Sequence, residues 1–464
     1  MSIRGHEAPR AIVIDDNTSV KNGHYVELAS LLLEAASEEG YRPVLAGHRD
    51  FLGSDSLPGN CEVLSAFHTR RMTRWSCGFD GQSKFSRNVF AQPLRATLAT
   101  RCQFVKDEWL TRHQWRPSEM LKCWSDGLIK IIEALKPSEK DLLIFQTADD
   151  FMMLAMARAL SRQTLPRLRI KAIFHYAVCG VDDLARTARG PFDQQLNHAL
   201  ERLSNHDVKL FATTEALAAQ MNSGALSQKV QPIPYPIRLP ATTTVQRHGP
   251  PRMVIGGVHR IEQGRGTLGE FLESIFERYI ASGDVALTLR LCPKTWRRII
   301  PRSLHKHFRP AFEQQGSRSA LTSLGKDASD QTPHLDIQPM SLPEAKYYEM
   351  LESADLGVLL YDANRYRVRC SGILLEFLSR GIPVLVAENS WLANRVQHYG
   401  EFAPVGYIYN DASDFEDVLS RFLDDRMRMK QAASQAASAV KAEHCSGSTF
   451  SSLIDSEATI RQSA

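Results

Sequence analysis

Short apolar runs alternate with stretches of helical spacing along the whole chain, the pattern of a parallel sheet whose strands are joined by helical crossovers. The first run, Ala11–Ile14, leads into the polar loop DDNTSVKNG (15–23) and then a helix-period stretch from His24 to Glu39, ending before Gly40. PVLAG (43–47) follows. Further strands are predicted at Asp141–Phe145, Ile170–Val178 and Val208–Thr214, with helices through MMLAMARAL (152–160) and Asp193–Leu203 between them. These elements make one Rossmann-like unit.

Pro232–Pro251, PIPYPIRLPATTTVQRHGPP, is proline-rich and unperiodic and reads as a linker. A second series of strands then begins at Arg252–Gly257, Val285–Leu291, HLDIQP (334–339) and Leu356–Tyr361. The helix ILLEFLSR (373–380), the strand PVLVAE (383–388) and a helical tail from about Ala412 complete it. No repeat of solenoid period is present. The expected fold class is α/β, two Rossmann-like domains facing a central cleft. Their expected bounds are 1–240 and 250–440, with 441–464 a helical tail crossing back to the N-terminal domain.

At 464 residues the chain exceeds the size at which one core usually stops growing, which agrees with two domains. Apolar residues make up 43% and charged residues 23%, ordinary globular usage that disfavours a disordered or fibrous chain. No window reaches the length of a membrane span, and MSIRGHEAPR lacks a signal peptide's apolar run, so a cytoplasmic location is expected. The eight cysteines show no CxxC pair and no zinc-like spacing, so reduced thiols and no structural metal are expected.

The net charge of +4 is too small to argue for nucleic-acid binding, but it is unevenly spread. Between His68 and Arg116, ten basic residues stand against Asp80, Asp107 and Glu108, interleaved with aromatics such as Trp75, Phe85 and Trp109. Such a mixture suits a peripheral contact with an anionic membrane at its inner face, a phosphorylated acceptor, or a plain solvated helix face.

In a parallel α/β domain, ligands lie beyond the carboxyl ends of the strands, where helix N-termini present backbone amides. The best such place is 366–378. The strand to Tyr361 gives way to the basic loop DANRYRVRCSG (362–372), and ILLEFLSR restores helical spacing, so Ser371, Gly372 and Ile373 fall at a helix N-terminus. A diphosphate fits there: Gly372 removes the Cβ that would block approach, Ser371 caps or donates, and Arg367 or Arg369 adds charge-assisted bonds. Glu376, one turn in, suits the hydroxyls of a ribose, although an ordinary turn with Glu376 as a surface acid has the same pattern.

The run beginning at Ser341, SLPEAKYYEMLESADLGVLLYDANRYRVRCSGILLEFLSRGIPVLVAENSWL, resembles the C-terminal domain of retaining glycosyltransferases similar to family four (group 1). The matching parts come in order: Ala354 and Asp355 at a helix end, the strand to Tyr361, the Ser-Gly loop, Glu376, and the Gly-Ile-Pro-Val turn at 381–384. VIGGVHRIEQGRG (254–266) resembles that family's glycine turn, with Gly257 and Arg260 in place. Two positions depart from the pattern. Val368 stands where the family has the first of two glutamates, and Gln263 where it has a lysine, leaving Arg265 as substitute for the second positive charge. In the N-terminal half, Asn22, Gly23 and His24 resemble the acceptor-side loop, and IFHYAV resembles the strand whose histidine, here His175, approaches the transferred sugar. The stretch from about Ser54 to Pro137 lies outside the resemblance.

The resemblance implies a metal-independent hexosyltransferase of the GT-B type. It would have an acceptor domain at 1–240 and a nucleotide-sugar domain at 250–440, take a nucleoside-diphosphate sugar as donor, retain anomeric configuration, need no cofactor, and use a carbohydrate or lipid-linked acceptor. A sugar-nucleotide epimerase of the same fold and a non-catalytic sugar-nucleotide scaffold remain open. A nicotinamide-dependent oxidoreductase is disfavoured, because neither half carries GxGxxG after its first strand.

Overall fold

The structure is a computed structural model describing residues 8–18, 24–51, 53, 55–68, 117–161, 164–176, 189–240, 249–258, 265–293, 296–317, 334–339 and 342–455. The chain divides into two compact units, Met1–Pro236 with Ser446–Ala464, and Ile237–Cys445. The basic aromatic segment at 69–116 lies outside the described residues.

In the first unit the strands are β1 (Arg10–Ile14), β2 (Arg42–His48), β3 (Glu62–Phe67), β4 (Leu142–Ala148), β5 (Arg169–Phe174), β6 (Asp207–Ala212) and β7 (Val230–Pro232). They form one sheet in the order β3-β2-β1-β4-β5-β6-β7, all pairings parallel, with Ile12 facing Val44 on one side and Leu143 on the other. Parallel sheets are covered on both faces, so the central strands are apolar throughout; β4 is buried at every position. Helices His24–Glu38, Pro117–Leu135, Asp150–Leu160, Arg189–Arg202 and Glu215–Asn222 join the strands. Asp149 and Thr214 cap two of them, accepting from the Met152 and Leu217 amides. The last helix, Ser446–Asp455, packs on His24–Glu38, with Phe450 edge-on to Tyr41 at 5.6 Å.

The second unit has β8 (Arg252–Val258), β9 (Ala286–Arg290), β10 (Leu335–Gln338), β11 (Leu356–Leu359), β12 (Val384–Ala387) and β13 (Gly406–Tyr409), ordered β10-β9-β8-β11-β12-β13 and again parallel. In both sheets the winding reverses beside the first strand, between β1 and β4 and between β8 and β11. Ligands bind at such switch points in open α/β sheets.

One helix, Gly372–Ser379, locks this unit together. Phe377 is fully buried, worth about 1.5–3 kcal/mol of apolar burial. It lies so close to β11 that a Cβ on Gly357 would stand 2.5 Å from its Cδ2, which is why the strand carries a glycine. The helix ends with Gly381 at φ +68, its amide donating to the Leu378 carbonyl while the Ile382 amide donates to the Phe377 carbonyl. This paired closure around a left-handed glycine is the Schellman motif, and Pro383 prevents the helix from resuming. The Gly-Ile-Pro-Val signature is thus a helix stop leading into β12. Gly381 also rests against the 31-residue helix Asp414–His444, where Ser434 passes.

Candidate functional site

The switch point of the second unit is built from both sides. On β8 the register slips between Ile255 and Val258 against β9, so Gly256 and Gly257 form a bulge. A Cβ on Gly256 would stand 2.8 Å from Leu351 Cδ2 and 3.1 Å from Ile373 Cγ2; on Gly257 it would stand 3.0 Å from the Tyr361 hydroxyl and 3.2 Å from Ile373 Cδ1. The glycine turn therefore lies against the N-terminus of Gly372–Ser379. Gly257, Ser371, Gly372, Ile373 and Glu376 are brought together.

Beyond β11 the loop is internally braced. Asp362 accepts from the Arg365 and Tyr366 amides through its side chain and carbonyl at 2.9 and 3.0 Å. Tyr361 and Tyr366 stack at 4.4 Å, and the Tyr366 carbonyl accepts from the Trp391 amide at 2.8 Å. Half-buried Arg369 lies over the Tyr366 ring at 5.4 Å, whereas Arg367 is exposed and donates to Asn364. Ser371, extended at φ −122, caps the helix by accepting from the Leu374 amide at 3.3 Å.

Glu376 is not a surface acid. It is only 6% exposed, and its Oε2 accepts from the Tyr347 hydroxyl at 2.6 Å. Arg290, at the end of β9, stacks over the Tyr347 ring at 5.5 Å and donates to the Gly256 and Pro339 carbonyls. Burial lowers the Arg290 pKa below the ordinary guanidinium range, while Tyr347 and Glu376 favour its charge. Val368, where the resemblance leads one to expect a glutamate, is buried and apolar. Arg260 and Gln263 lie outside the described residues, and Arg265 opens the helix Arg265–Ile275.

The first unit also gathers polar groups at its switch point. His175 lies just past the end of β5, where the sequence pattern runs the strand on to Val178. It is 6% exposed, and its Nε2 donates to the Gln146 carbonyl on β4, an oxygen that only accepts. The Gln146 amide donates to Asp15 Oδ2 at 2.7 Å and to the Tyr25 carbonyl at 2.9 Å. Asp15 Oδ1 accepts from the backbone and side chain of Asn17, both at 2.9 Å. His24 stacks on Tyr235 at 5.8 Å with a hydrogen bond of 3.0 Å between them, and His175 meets the same tyrosine edge-on at 5.8 Å. Tyr235 thus joins the two predicted histidines; Asn22 and Gly23 lie outside the described residues. Asp15, Gln146, Tyr235, Arg290 and Tyr347 escaped the sequence reading. A glutamine inside the apolar run LLIFQTA is the one local signal among them.

No helix among the described residues is long and apolar enough to cross a membrane. No family model matches this chain, and no curated protein matches it in sequence. Solved structures do match over nearly the whole length. Sucrose-phosphate synthase from Thermosynechococcus elongatus aligns with TM-score 0.59 at 11% identity, covering 98% of this chain and 100% of that one. An α,α-trehalose-phosphate synthase (UDP-forming) from Burkholderia vietnamiensis aligns with TM-score 0.59 at 15% identity, covering 98% and 99%. HepE from Anabaena, solved in complex with UDP, aligns with TM-score 0.55 at 11% identity, covering 97% and 100%. Two parallel sheets wound in this order, matched end to end, give the chain the GT-B fold.

Proposed function

We propose that this chain is a glycosyltransferase that moves a sugar from a nucleoside-diphosphate donor to an acceptor with retention of configuration, in the manner of family four. The observation that carries the reading is the switch point of the second unit, where the Gly256-Gly257 bulge, the Ser371-capped helix and the buried Glu376 carboxylate converge. The GT-B fold supports it, as does the UDP held by the Anabaena neighbour.

In this mechanism the leaving diphosphate gathers negative charge, and its stabilisation lowers the barrier. The N-terminal amides of Gly372–Ser379 receive that charge together with Arg260 and Arg265, so no metal is required. Gly257 and Gly372 admit the phosphates closely, Arg369 adds positive charge, and Glu376 accepts from the ribose hydroxyls. His175 orients the transferred sugar, and Asn22, Gly23 and His24 form the acceptor side. The acceptor is a carbohydrate or a lipid-linked sugar, and the basic segment at 68–116 is assigned to an anionic membrane surface on the cytoplasmic side. One observation favours a second reading, a binding protein without turnover: apolar Val368 occupies the position of the missing glutamate.

Incubation with UDP-, GDP- and ADP-sugars, with and without acceptor sugars, separates the two. Turnover of one donor that falls by about 1.5–3 kcal/mol equivalent in Arg260→Ala supports the enzyme. Tight nucleotide binding with no hydrolysis or transfer under any condition sinks it and leaves the scaffold.

A further inference from the structure

Arg290 and Tyr347 converge on Glu376 from outside the loops that the fold devotes to its ligand. Tyr347 sits on the helix Glu344–Glu352 and gives its only hydroxyl proton to Glu376 Oε2 at 2.6 Å. Arg290 lies over that ring at 5.5 Å, while its Nη1 donates to the Gly256 carbonyl of the β8 bulge and its Nε to the Pro339 carbonyl after β10. One guanidinium thus ties the ends of three strands to the tyrosine.

A carboxylate removed from water keeps a defined orientation only where hydrogen bonds replace its hydration. The bond from Tyr347 sets the rotation of the Glu376 head group about its last torsion. A carboxylate accepts about four hydrogen bonds, and one from a fixed hydroxyl orients its lone pairs. Two adjacent ribose hydroxyls require such fixed acceptors, since a swivelling carboxylate meets one hydroxyl as well as two.

We infer that Tyr347 is the positioning residue for Glu376, that Arg290 braces Tyr347, and that the pair sets the chain's discrimination between ribose and 2′-deoxyribose in a bound nucleoside diphosphate. The inference rests on Glu376 being the ribose carboxylate. Calorimetric titration tests it with whichever of UDP, GDP and ADP binds the full chain best, and with the 2′-deoxy form of the same nucleotide. The readout is the ratio of the two dissociation constants, which a lower folded fraction does not move.

Wild type is expected to prefer the ribonucleotide by about tenfold or more, the worth of one charge-assisted hydrogen bond. Glu376→Gln should reduce the ratio towards one. Tyr347→Phe, which deletes a single oxygen, should shrink it several-fold. Arg290→Lys keeps the charge but loses the fork; it should shrink the ratio as well, and it serves if Tyr347→Phe does not fold. A full ratio in both Tyr347→Phe and Arg290→Lys, alongside loss in Glu376→Gln, overturns the positioning role and leaves Glu376 on the ribose. Equal binding of both nucleotides by wild type removes the ribose assignment itself, and the inference with it.

Discussion

Gly381 and Ser434 meet backbone to backbone: a Cβ on the glycine would stand 2.9 Å from the Ser434 Cα. The glycine also holds φ at +68, where an L side chain costs about 1–2 kcal/mol. Gly381→Ala is therefore expected to destabilise the second unit by about 2–4 kcal/mol once overpacking is added. Gly283 has φ +92, but a Cβ there meets only the movable ring of His334 at 3.0 Å. Denaturant unfolding should show Gly283→Ala losing distinctly less. Equal losses in the two variants would mean that the helix Asp414–His444 does not press on Gly381.

Ser371 and Ser390 cap two helices of the same unit, accepting from the Leu374 and Ala393 amides. Replacing either by alanine should cost about 1 kcal/mol in thermal unfolding. Only Ser371→Ala should also weaken nucleoside-diphosphate binding, because only that cap belongs to the proposed phosphate site. Calorimetry that finds the same affinity in both variants would detach the phosphates from Ser371.

Asp141 anchors the start of β4 to β1. Burial opposes its charge, but hydrogen bonds from the Arg10 side chain and from the Ser138 and Arg10 amides, with the nearby guanidinium, outweigh it and hold the carboxyl below its ordinary range. A depressed carboxyl stabilises the fold above its unfolded pKa of about 3.9, and that contribution disappears as pH falls through the lower folded value. Asp141→Asn should therefore cost about 2–4 kcal/mol at pH 7 and flatten the loss of stability below about pH 4. An unchanged acid limb of the stability curve would rule out this pair as a contributor.

Tyr235→Phe keeps the ring against His24 and His175 but deletes the hydrogen bond to His24. Turnover is expected to fall by the equivalent of about 0.5–1.5 kcal/mol, with nucleotide affinity unchanged. A change in nucleotide affinity without one in turnover would contradict an acceptor-side role for these residues.

The alternation of apolar runs and helical spacing located β1, β2, β4, β5 and β6 of the first sheet and β8 to β12 of the second, mostly within a few residues. The strands it missed lie at sheet edges. β3, with only Ala66 and Phe67 buried, and the three-residue β7 carry too few apolar positions to stand out, and β13 alternates between half-buried and buried positions. The loop and helix at 362–379 were legible because a short, contiguous stretch holds the cap, the glycine and the acid. Tyr347 was not, since its partner Glu376 is 29 residues away and only the packing of two helices joins them. His24, Tyr235 and His175 illustrate the same limit, because their contacts come from three separate connections at one end of a sheet.

The crossings between units are each closed on their own side. In the first unit the Thr449 hydroxyl donates to the Pro234 carbonyl at 3.0 Å, and in the second the Ile237 amide donates to the His444 carbonyl at 3.0 Å. Residues 237–445 are therefore a cassette whose entry and exit lie side by side, threaded into a host that resumes at Ser446. A gene encoding this chain could exchange that cassette whole, as one uninterrupted stretch, provided the newcomer also enters and leaves at neighbouring points.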